Sequence, residues 1–305
     1  LHCSSAASDV YKRQSKHSLN LAAIYAPNRR GKVSPNTQEV YDLKGIKYNE
    51  YWGYQDGEKR NSRVKRVVEP IILLNHDWSI DENSSLETSI GYQFGEMGNS
   101  RLDYAGGGNP SPAYYQDLPS YFLADTNGPD YEGAYIAQEN FVNDGQINWN
   151  RIYDANVTNN LSNLNAAYVL YEDRVDDTQL TINSAYNREI NENIKITSSV
   201  NYRNLVSDNF AEISDMLGCY SYSNIDSFDN LDYNLLSPNS IVSDGDKFKY
   251  HYKMNAEEIS LFSMINFSYN KLEFYLAGDL TNTTYQRDGI FAVSYTHLRA
   301  HETEQ

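Results

Sequence analysis

The polar side chains of this sequence match no catalytic or metal-binding motif. There is no nucleophile elbow, no H-E-x-x-H helix and no grouping of Ser, His and Asp that resembles a triad. The acidic runs YEDRVDD (171–177) and SDGDK (243–247) offer oxygen ligands for Ca²⁺, but neither matches a calcium loop. His76 has no second histidine close to it in sequence. We therefore predict that the protein is not an enzyme and has no catalytic residue, no metal site and no cofactor.

Aromatic residues in the polar connecting segments are the better candidates for contact with a ligand. Tyr and Trp rings can stack on a ligand, and they can equally pack loops against one another. Both interpretations are open for the candidate ligand-loop residues, which are Tyr51, Trp52, Tyr114, Tyr115 and Trp149.

The composition limits the class of protein to which these residues belong. The chain has 305 residues, 25 Lys and Arg against 41 Asp and Glu, a net charge of −16 and a mean hydropathy of −0.66. Its 13% aromatic content is too high for a disordered polar chain. The acidic balance argues against nucleic acid as a partner, because phosphate binding needs clustered Lys and Arg. No apolar stretch is long enough for a transmembrane helix, but the alternating strands of a transmembrane β-barrel would escape a hydropathy average.

The two ends of the chain are expected to be non-native. Residues 9–14 read DVYKRQ and residues 293–298 read VSYTHL, and one DNA element read from opposite strands can encode both peptides. With their neighbours they resemble translated sequencing adapters of the transposase type. We therefore assign residues 1–14 and 292–305 to adapter-derived tails and residues 15–291 to a fragment of a β-barrel domain. We expect residues 1–14 and 293–305 to lack packed structure.

Apolar and polar residues alternate with a period of two in seven segments, which is the pattern of β-strands with two different faces. Six of these segments form three pairs joined by short polar turns, and one segment stands alone at the start. The predicted strands are residues 17–26, 71–80, 85–97, 177–190, 193–206, 257–269 and 272–286. Long segments rich in Gly, Asn, Asp and Tyr separate the pairs, near residues 27–70, 98–176 and 207–256.

Short turns and long connections follow one another strictly, and this predicts the topology. In an up-and-down meander all short turns lie on one side and all long loops on the other, as in bacterial outer-membrane barrels. The predicted strands are long enough to cross a bilayer at a tilt, whereas strands of soluble sandwiches usually have about 5–6 residues. The predicted fold class is therefore all-β: an antiparallel up-and-down meander that forms part of a transmembrane β-barrel, about seven strands of a larger one, with long extracellular loops. The alternative is a soluble one-sided sheet packed on a second sheet.

The alternation also predicts which residues meet lipid. We expect one apolar face to point outward on the convex side and a face rich in Asn, Ser, Thr and charged residues to line a wet lumen. The predicted lipid-facing residues are Leu180, Ile182, Ile194, Ile196, Val200, Ile265, Phe267, Leu272, Phe274 and Leu276. The predicted lumenal residues are Asn183, Lys195, Asn201, Arg203, Asn266, Glu273 and Asp279. Aromatic residues expected at the membrane interfaces are Trp78, Tyr92, Tyr186, Tyr202 and Tyr269.

Four runs resemble TonB-dependent outer-membrane receptors: EVYDLKGIKYNEYWGYQDGEKRNSRVKRVVEP (39–70), GNSRLDYAGGGNPSPAYYQDLPSYFL (98–123), YEDRVDDTQL (171–180) and GDKFKYHY (245–252). They are most similar to the branch that carries an N-terminal carboxypeptidase-regulatory-like domain and a plug. The resemblance implies a barrel of about 22 strands in the cell outer membrane. The partners that it implies are outer-membrane lipid, the plug and the remaining strands of the full-length parent, a TonB complex reached through a missing N-terminal part, and a nutrient ligand. No functional residue is carried over.

Two functions are compatible with this sequence, and a third lacks support. The chain is expected to be part of a transporter, in which lumenal faces line a passage and Tyr-rich loops capture the ligand. Alternatively it is a secreted β-rich adhesin or carbohydrate-binding module that uses the same loops without a membrane. An enzyme has no supporting group of residues.

Overall fold

The computed structural model describes residues 15–124, 126, 128–226 and 231–292, and the backbone of residues 6–13. These residues form one antiparallel sheet of ten strands and two small sheets of two strands each. The strands are β1 (Ala6–Arg13), β2 (His17–Tyr25), β3 (Asn28–Gly31), β4 (Trp52–Gln55), β5 (Glu58–Asn61), β6 (Val64–Val68), β7 (Ile71–Asp81), β8 (Ser84–Tyr104), β9 (Tyr168–Asn191), β10 (Ile194–Asp215), β11 (Tyr222–Ser223), β12 (Ile241–Val242), β13 (Lys247–Tyr269) and β14 (Leu272–Gly289). The helices are α1 (Gln38–Lys44), α2 (Pro119–Leu123), α3 (Tyr131–Asp144) and α4 (Trp149–Leu161), with a 3-10 turn at Tyr115–Asp117.

The large sheet is an up-and-down meander. Its main path runs β1-β2-β7-β8-β9-β10-β13-β14, and every neighbouring pair along it is antiparallel. The short strand β6 pairs with residues 96–99 of β8, in the half of β8 that lies away from the β7–β8 turn, and β3 pairs with β6. Within the described residues β1 and β14 each have one neighbour, so the sheet does not close. The predicted fold class is confirmed in this form: an antiparallel meander that is open, as a part of a barrel would be.

All seven predicted strands are present, and their ends at the short turns agree with the prediction. The connections β7–β8, β9–β10 and β13–β14 each have two residues. The side chains of Asp81 and Asn191 accept hydrogen bonds from the N–H groups of Asn83 and Asn193 at 2.8 and 2.9 Å, and Asn270 takes a positive φ of 54°. Asn and Asp stabilise tight turns in this way, which explains why the turns could be predicted.

At the other end the strands are longer than predicted. β8 continues to Tyr104, β9 begins at Tyr168, β10 continues to Asp215 and β13 begins at Lys247. In these additional parts, charged residues occupy the face of the strand that is apolar nearer the short turns. The alternation of apolar and polar residues that was used for the prediction therefore stops there. The backbone ladder continues regardless, because N–H and C=O groups pair whatever the side chains are.

The long connections are folded, which the sequence did not predict. Residues 26–70, 105–167 and 216–246, here called the loop cap, contain the four described helices. Asp130 and Asn148 cap α3 and α4 by accepting from the N–H groups of Gly133 and Arg151, each at 2.9 Å. The buried clusters of the described residues lie in the loop cap and at the strand ends next to it. One joins Val169, Ile213 and Phe248 on β9, β10 and β13 to cap residues, and another joins Trp149 and Ile152 to Leu217 within the cap. None of the described helices is long and apolar enough to span a membrane.

The expectation that residues 1–14 lack packed structure is wrong for the backbone of Ala6–Arg13. This segment pairs with β2 over its whole length, from Ala6 opposite Tyr25 to Arg13 opposite Ser18. The reason is general: the free edge of β2 offers unpaired N–H and C=O groups, and a backbone ladder needs no selected side chains. Residues 293–305 of the second expected tail lie outside the described part, and Ala292 is buried, with its C=O accepting from Leu235 N–H at 2.9 Å.

Candidate functional site

The register of the strands sorts the sheet into two faces. Residues directly opposite one another on antiparallel strands point to the same side, and the side alternates along each strand. One row runs across six strands without a polar interruption other than a tyrosine hydroxyl: Leu21, Leu74, Ile90, Ile182, Tyr202 and Ile259. We call this side the apolar face and the opposite side the polar face.

All ten residues predicted to meet lipid lie on the apolar face. The register connects them pairwise: Ile194 lies opposite Phe267, Ile196 opposite Ile265, Phe267 opposite Phe274, and Ile265 opposite Leu276. None of the ten is buried, and Leu272, Phe274 and Leu276 are 57 to 72% exposed. In the soluble alternative these side chains would fill a compact core, which is not what they do in this structure. That the face meets lipid stays a prediction.

The polar face carries a continuous row of small polar side chains. Asn20, Asn75, Ser89, Asn183, Asn201, Ser260 and Thr281 lie opposite one another across seven strands. The amide of Asn183 donates to the side-chain oxygen of Asn201, whose own amide donates to Ser260 Oγ at 3.2 Å. The seven residues predicted to be lumenal all lie on this face. Such a surface can hydrogen-bond to water or to a polar ligand.

The five predicted interfacial aromatics lie on the apolar face at different distances from the short turns. Trp78 and Tyr186 share one row, with Leu86 between them, at the end near the short turns. Tyr202 and Tyr92 lie four and six residues farther along, about 13 to 20 Å away at the usual rise of a strand. Tyr269 stands beside the turn after β13 and is 49% exposed.

Strand pairing brings His17 beside His76, although no second histidine is near it in sequence. The Nδ1 atom of His17 and the Nε2 atom of His76 are 3.1 Å apart, and the two ring planes differ by 8°. In this arrangement the N–H of one ring donates to the lone pair of the other. The ring of Trp78 lies 5.6 Å from that of His17. Within the described residues no three His, Cys, Asp or Glu side chains are grouped to hold a metal ion.

Three of the candidate ligand-loop residues lie around the small β4–β5 hairpin. Trp149 is fully buried, its Nε1 donates to the backbone oxygen of Arg60 at 3.2 Å, and the Arg60 guanidinium lies 4.4 Å from its ring centre. Trp52 is half-buried beneath the ammonium of Lys59, at 4.5 Å. Tyr51 is half-buried beside the guanidinium of Arg63, at 5.0 Å. Trp149 therefore packs loops against one another, which is the second of the two interpretations given for the candidate ligand-loop residues.

The other two candidates belong to an exposed aromatic cluster in the connection between β8 and β9. The rings of Tyr114 and Tyr115 are 4.9 Å apart, and Tyr121, which the sequence did not single out, lies 5.9 Å from Tyr115. Tyr115 is 59% exposed and Tyr121 is 46% exposed. The Ser111 hydroxyl donates to Glu50 at 2.5 Å and ties this connection to the one that carries Tyr51. The exposed rings of Tyr115 and Tyr121 leave both interpretations open for this cluster, stacking on a ligand and packing between loops.

Beyond the apolar band, the outer strand ends carry a charged network. Arg66 on β6 and Arg174 on β9 both pair with Glu96 on β8, and Arg174 also pairs with Asp176 at 2.9 Å. Burial raises the pKa of Glu96, but the hydrogen bond from Arg66 and the charge of Arg174 outweigh it, so the pKa lies below its usual value. At Glu212, 3.7 Å from Arg174, burial dominates and raises the pKa. This network joins β6, β8, β9 and β10 at the end of the sheet that lies away from the short turns.

No family model and no curated protein matches this chain. Among solved structures it is similar to the ferric-catecholate import receptor Fiu from K12 E. coli in its closed form, with a TM-score of 0.37 and 8% identity. The similarity covers 93% of this chain and 40% of the receptor chain, so the chain spans less than half the length of that protein. The fold class stated above depends on the strand order and register of this chain and not on that likeness.

Proposed function

We propose that this chain is a piece of a TonB-dependent receptor in the cell outer membrane, and that it supplies barrel wall and extracellular ligand-capturing loops for the energised uptake of a nutrient. One observation supports the proposal above all: a single register keeps an exposed apolar face and a hydrogen-bonding polar face separate across seven strands. A membrane barrel needs this arrangement, with lipid on one side and water on the other.

In this role each face has one environment. The apolar face meets lipid and the polar face lines the lumen, because a Lys or Arg turned to lipid near the midplane costs about 2–4 kcal/mol. A slip of one residue would turn Lys195 and Arg203 toward lipid, so the register is strongly determined. The loop cap captures the ligand, and the plug, the remaining strands and the TonB complex are partners contributed by the rest of the parent. The role requires no catalytic step and no nucleic acid.

Tryptophan quenching by brominated lipid tests the membrane assignment. Of the three tryptophans of the chain, Trp78 lies on the apolar face, whereas Trp52 and Trp149 lie in the loop cap. We expect vesicles with brominated acyl chains to quench part of the fluorescence of the refolded chain. Trp78→Phe should remove the quenched part, and the matched control Trp52→Phe should retain it. Equal fluorescence in brominated and ordinary vesicles would exclude the membrane role and favour the secreted adhesin or carbohydrate-binding module.

The DNA upstream of residue 15 provides an independent test. A plug domain in the same reading frame supports the receptor. A signal peptide that leads directly into β2 supports the secreted module.

A further inference from the structure

Positive side chains lie directly opposite one another where β3 pairs with β6. Arg30 is opposite Lys65, and farther along the N–H of Lys32 donates to the C=O of Arg63 at 2.7 Å. On the next strand Asn99 lies opposite Lys65, and Arg101 follows two residues later. We call the five basic residues the cationic patch: Arg30, Lys32, Arg63, Lys65 and Arg101.

The patch belongs to the polar face at its long-connection end. Register carries the polar face from Lys65 through Asn99 to Asp173 on β9. The Nζ of Lys32 donates to Asn99 Oδ1 at 3.3 Å, and Arg101 Nε lies 2.7 Å from Asp173 Oδ2. In the proposed receptor this place is the outer mouth of the lumen.

Most of the positive charge in the patch is not neutralised. Within the described residues, Asp173 is the one carboxylate within 4 Å of a patch side chain, and it also accepts from the hydroxyl of Tyr250 at 2.9 Å. Arg66, on the same strand as Lys65 but on the other face, pairs with both Glu96 and Glu172. A chain with a net charge of −16 has enough carboxylates to neutralise the patch as well. Like charges directly opposite one another destabilise strand pairing, so an anion that bound here would stabilise the fold.

The spacing of the patch indicates the chemistry of the ligand. Opposite residues have Cβ atoms about 5 Å apart, and residues two apart on a strand are about 7 Å apart. Arg30, Lys32, Arg63 and Lys65 therefore occupy the corners of a small rectangle. Arg forks and Lys ammonium groups at that spacing can surround two neighbouring oxyanion groups. A lipid headgroup fits poorly, because lipid would lie against the opposite face of the sheet.

We propose that the cationic patch binds a soluble ligand that carries two or more oxyanion groups, such as phosphates, sulfates or carboxylates. This inference rests on the proposed function. It adds to that function the chemical class of the captured nutrient.

Calorimetric titration of the full chain in neutral detergent tests the proposal, with inorganic triphosphate and citrate as probes. We expect at least one probe to bind, and the double variant Arg30→Gln/Lys65→Gln to weaken its binding about tenfold or more. The control Lys253→Gln/Lys271→Gln removes the same charge from two exposed positions outside both the patch and the loop cap, and it should leave the affinity unchanged. Arg30→Lys/Lys65→Arg keeps the charge and should retain most of the binding, which separates lost recognition from lost folding.

The outcomes distinguish this inference from the proposed function. Absence of binding for both probes, or equal weakening by the control variant, would overturn the inference. Binding of vesicles with anionic headgroups that depends on Arg30 and Lys65, without binding of either soluble probe, would also overturn it, because the occupant would then be a membrane. If Trp78 is quenched by brominated lipid while the probes fail to bind, only the ligand class is wrong. If the probes bind and Trp78 is not quenched, the patch remains and the receptor assignment fails.

Discussion

Arg174 shows how single residues hold the outer end of the sheet together. Its side chain is only 10% exposed and pairs with Glu96 on β8, Asp176 on β9 and Glu212 on β10. A guanidinium removed from water needs several carboxylate partners to offset its desolvation. The two glutamates contribute unequally, because the pKa of Glu96 is lowered and that of Glu212 is raised.

This difference in pKa predicts that replacing Glu96 and replacing Glu212 will affect the free energy of unfolding differently. Glu96 has a lower pKa in the folded chain than the value of about 4.3 that a glutamate has in an unfolded chain. Its ionised form therefore stabilises the fold at pH values above about 4.3, and this stability is lost as the pH falls through the pKa of the folded state. A raised pKa means that Glu212 adds stability below about 4.3 and loses it as the pH rises through its folded pKa. Glu96→Gln should therefore reduce the free energy of unfolding at neutral pH by about 1 kcal/mol, and Glu212→Gln should not reduce it.

Urea unfolding of the chain in detergent micelles, at neutral pH and at about pH 3, measures both variants. The deficit of Glu96→Gln should shrink at the acidic pH. Equal losses for the two variants at neutral pH would show that the network is not organised by Arg66 and Arg174 as described.

At the level of elements, β6 and β7 both pair with β8, one after the other, like a single strand that is interrupted at residues 69 and 70. Val68 lies opposite Glu96 and Ile71 opposite Gln93, so the register is the same before and after Pro70. Pro70 has no N–H to donate, and β8 adapts at Gly95, which takes a φ of +142°. A Cβ on Gly95 would lie 1.9 Å from the backbone oxygen of Val68.

Gly95→Ala should therefore separate β6 from β8 and destabilise the chain by about 2 kcal/mol, because the backbone of both strands would have to move. Gly91→Ala is the matched control on the same strand, since its Cβ would meet the side chain of Leu73 at 3.4 Å. The free energy of unfolding and protease cleavage within residues 26–70 measure the effect. Equal stability of the two variants would contradict the close approach at Gly95.

The whole molecule is a sheet with two different edges and a fully paired centre. β9 has a neighbour on both sides over nearly its whole length, β8 on one side and β10 on the other. β14 pairs only with β13 among the described residues, and all of its residues are exposed. Such a long free edge offers unpaired backbone groups for a further strand.

Amide hydrogen exchange should show this difference directly. In micelles, amides of β9 should exchange slowly throughout, whereas roughly every second amide of β14 should exchange fast, because its N–H points away from β13. Uniform protection of β14 would mean that another strand covers the edge. Repeating the measurement at lower protein concentration would reveal whether that strand belongs to a second copy of the chain.

The sequence by itself determined seven of the strands in the parts near the short turns, the turns themselves, and the two faces of each of these strands. This information is local: alternation assigns Ile196 and Lys195 to opposite sides without knowledge of any partner, and Asp81 and Asn191 form their turns with residues two positions away. The tight turns also set the register within each hairpin, so the faces of β9 and β10 or of β13 and β14 could be matched in advance.

Only the tertiary structure decided which residues from different hairpins meet. Pairing of β2 with β7 places His17 beside His76. Pairing of β3 with β6 brings basic residues from two separate segments together in the cationic patch. The burial of Trp149 depends on Arg60, and the pKa of Glu96 depends on Arg174, which lies far away in the chain. The physical reason is the same in each case: the partners are joined by long connections, and their register depends on how the whole sheet assembles.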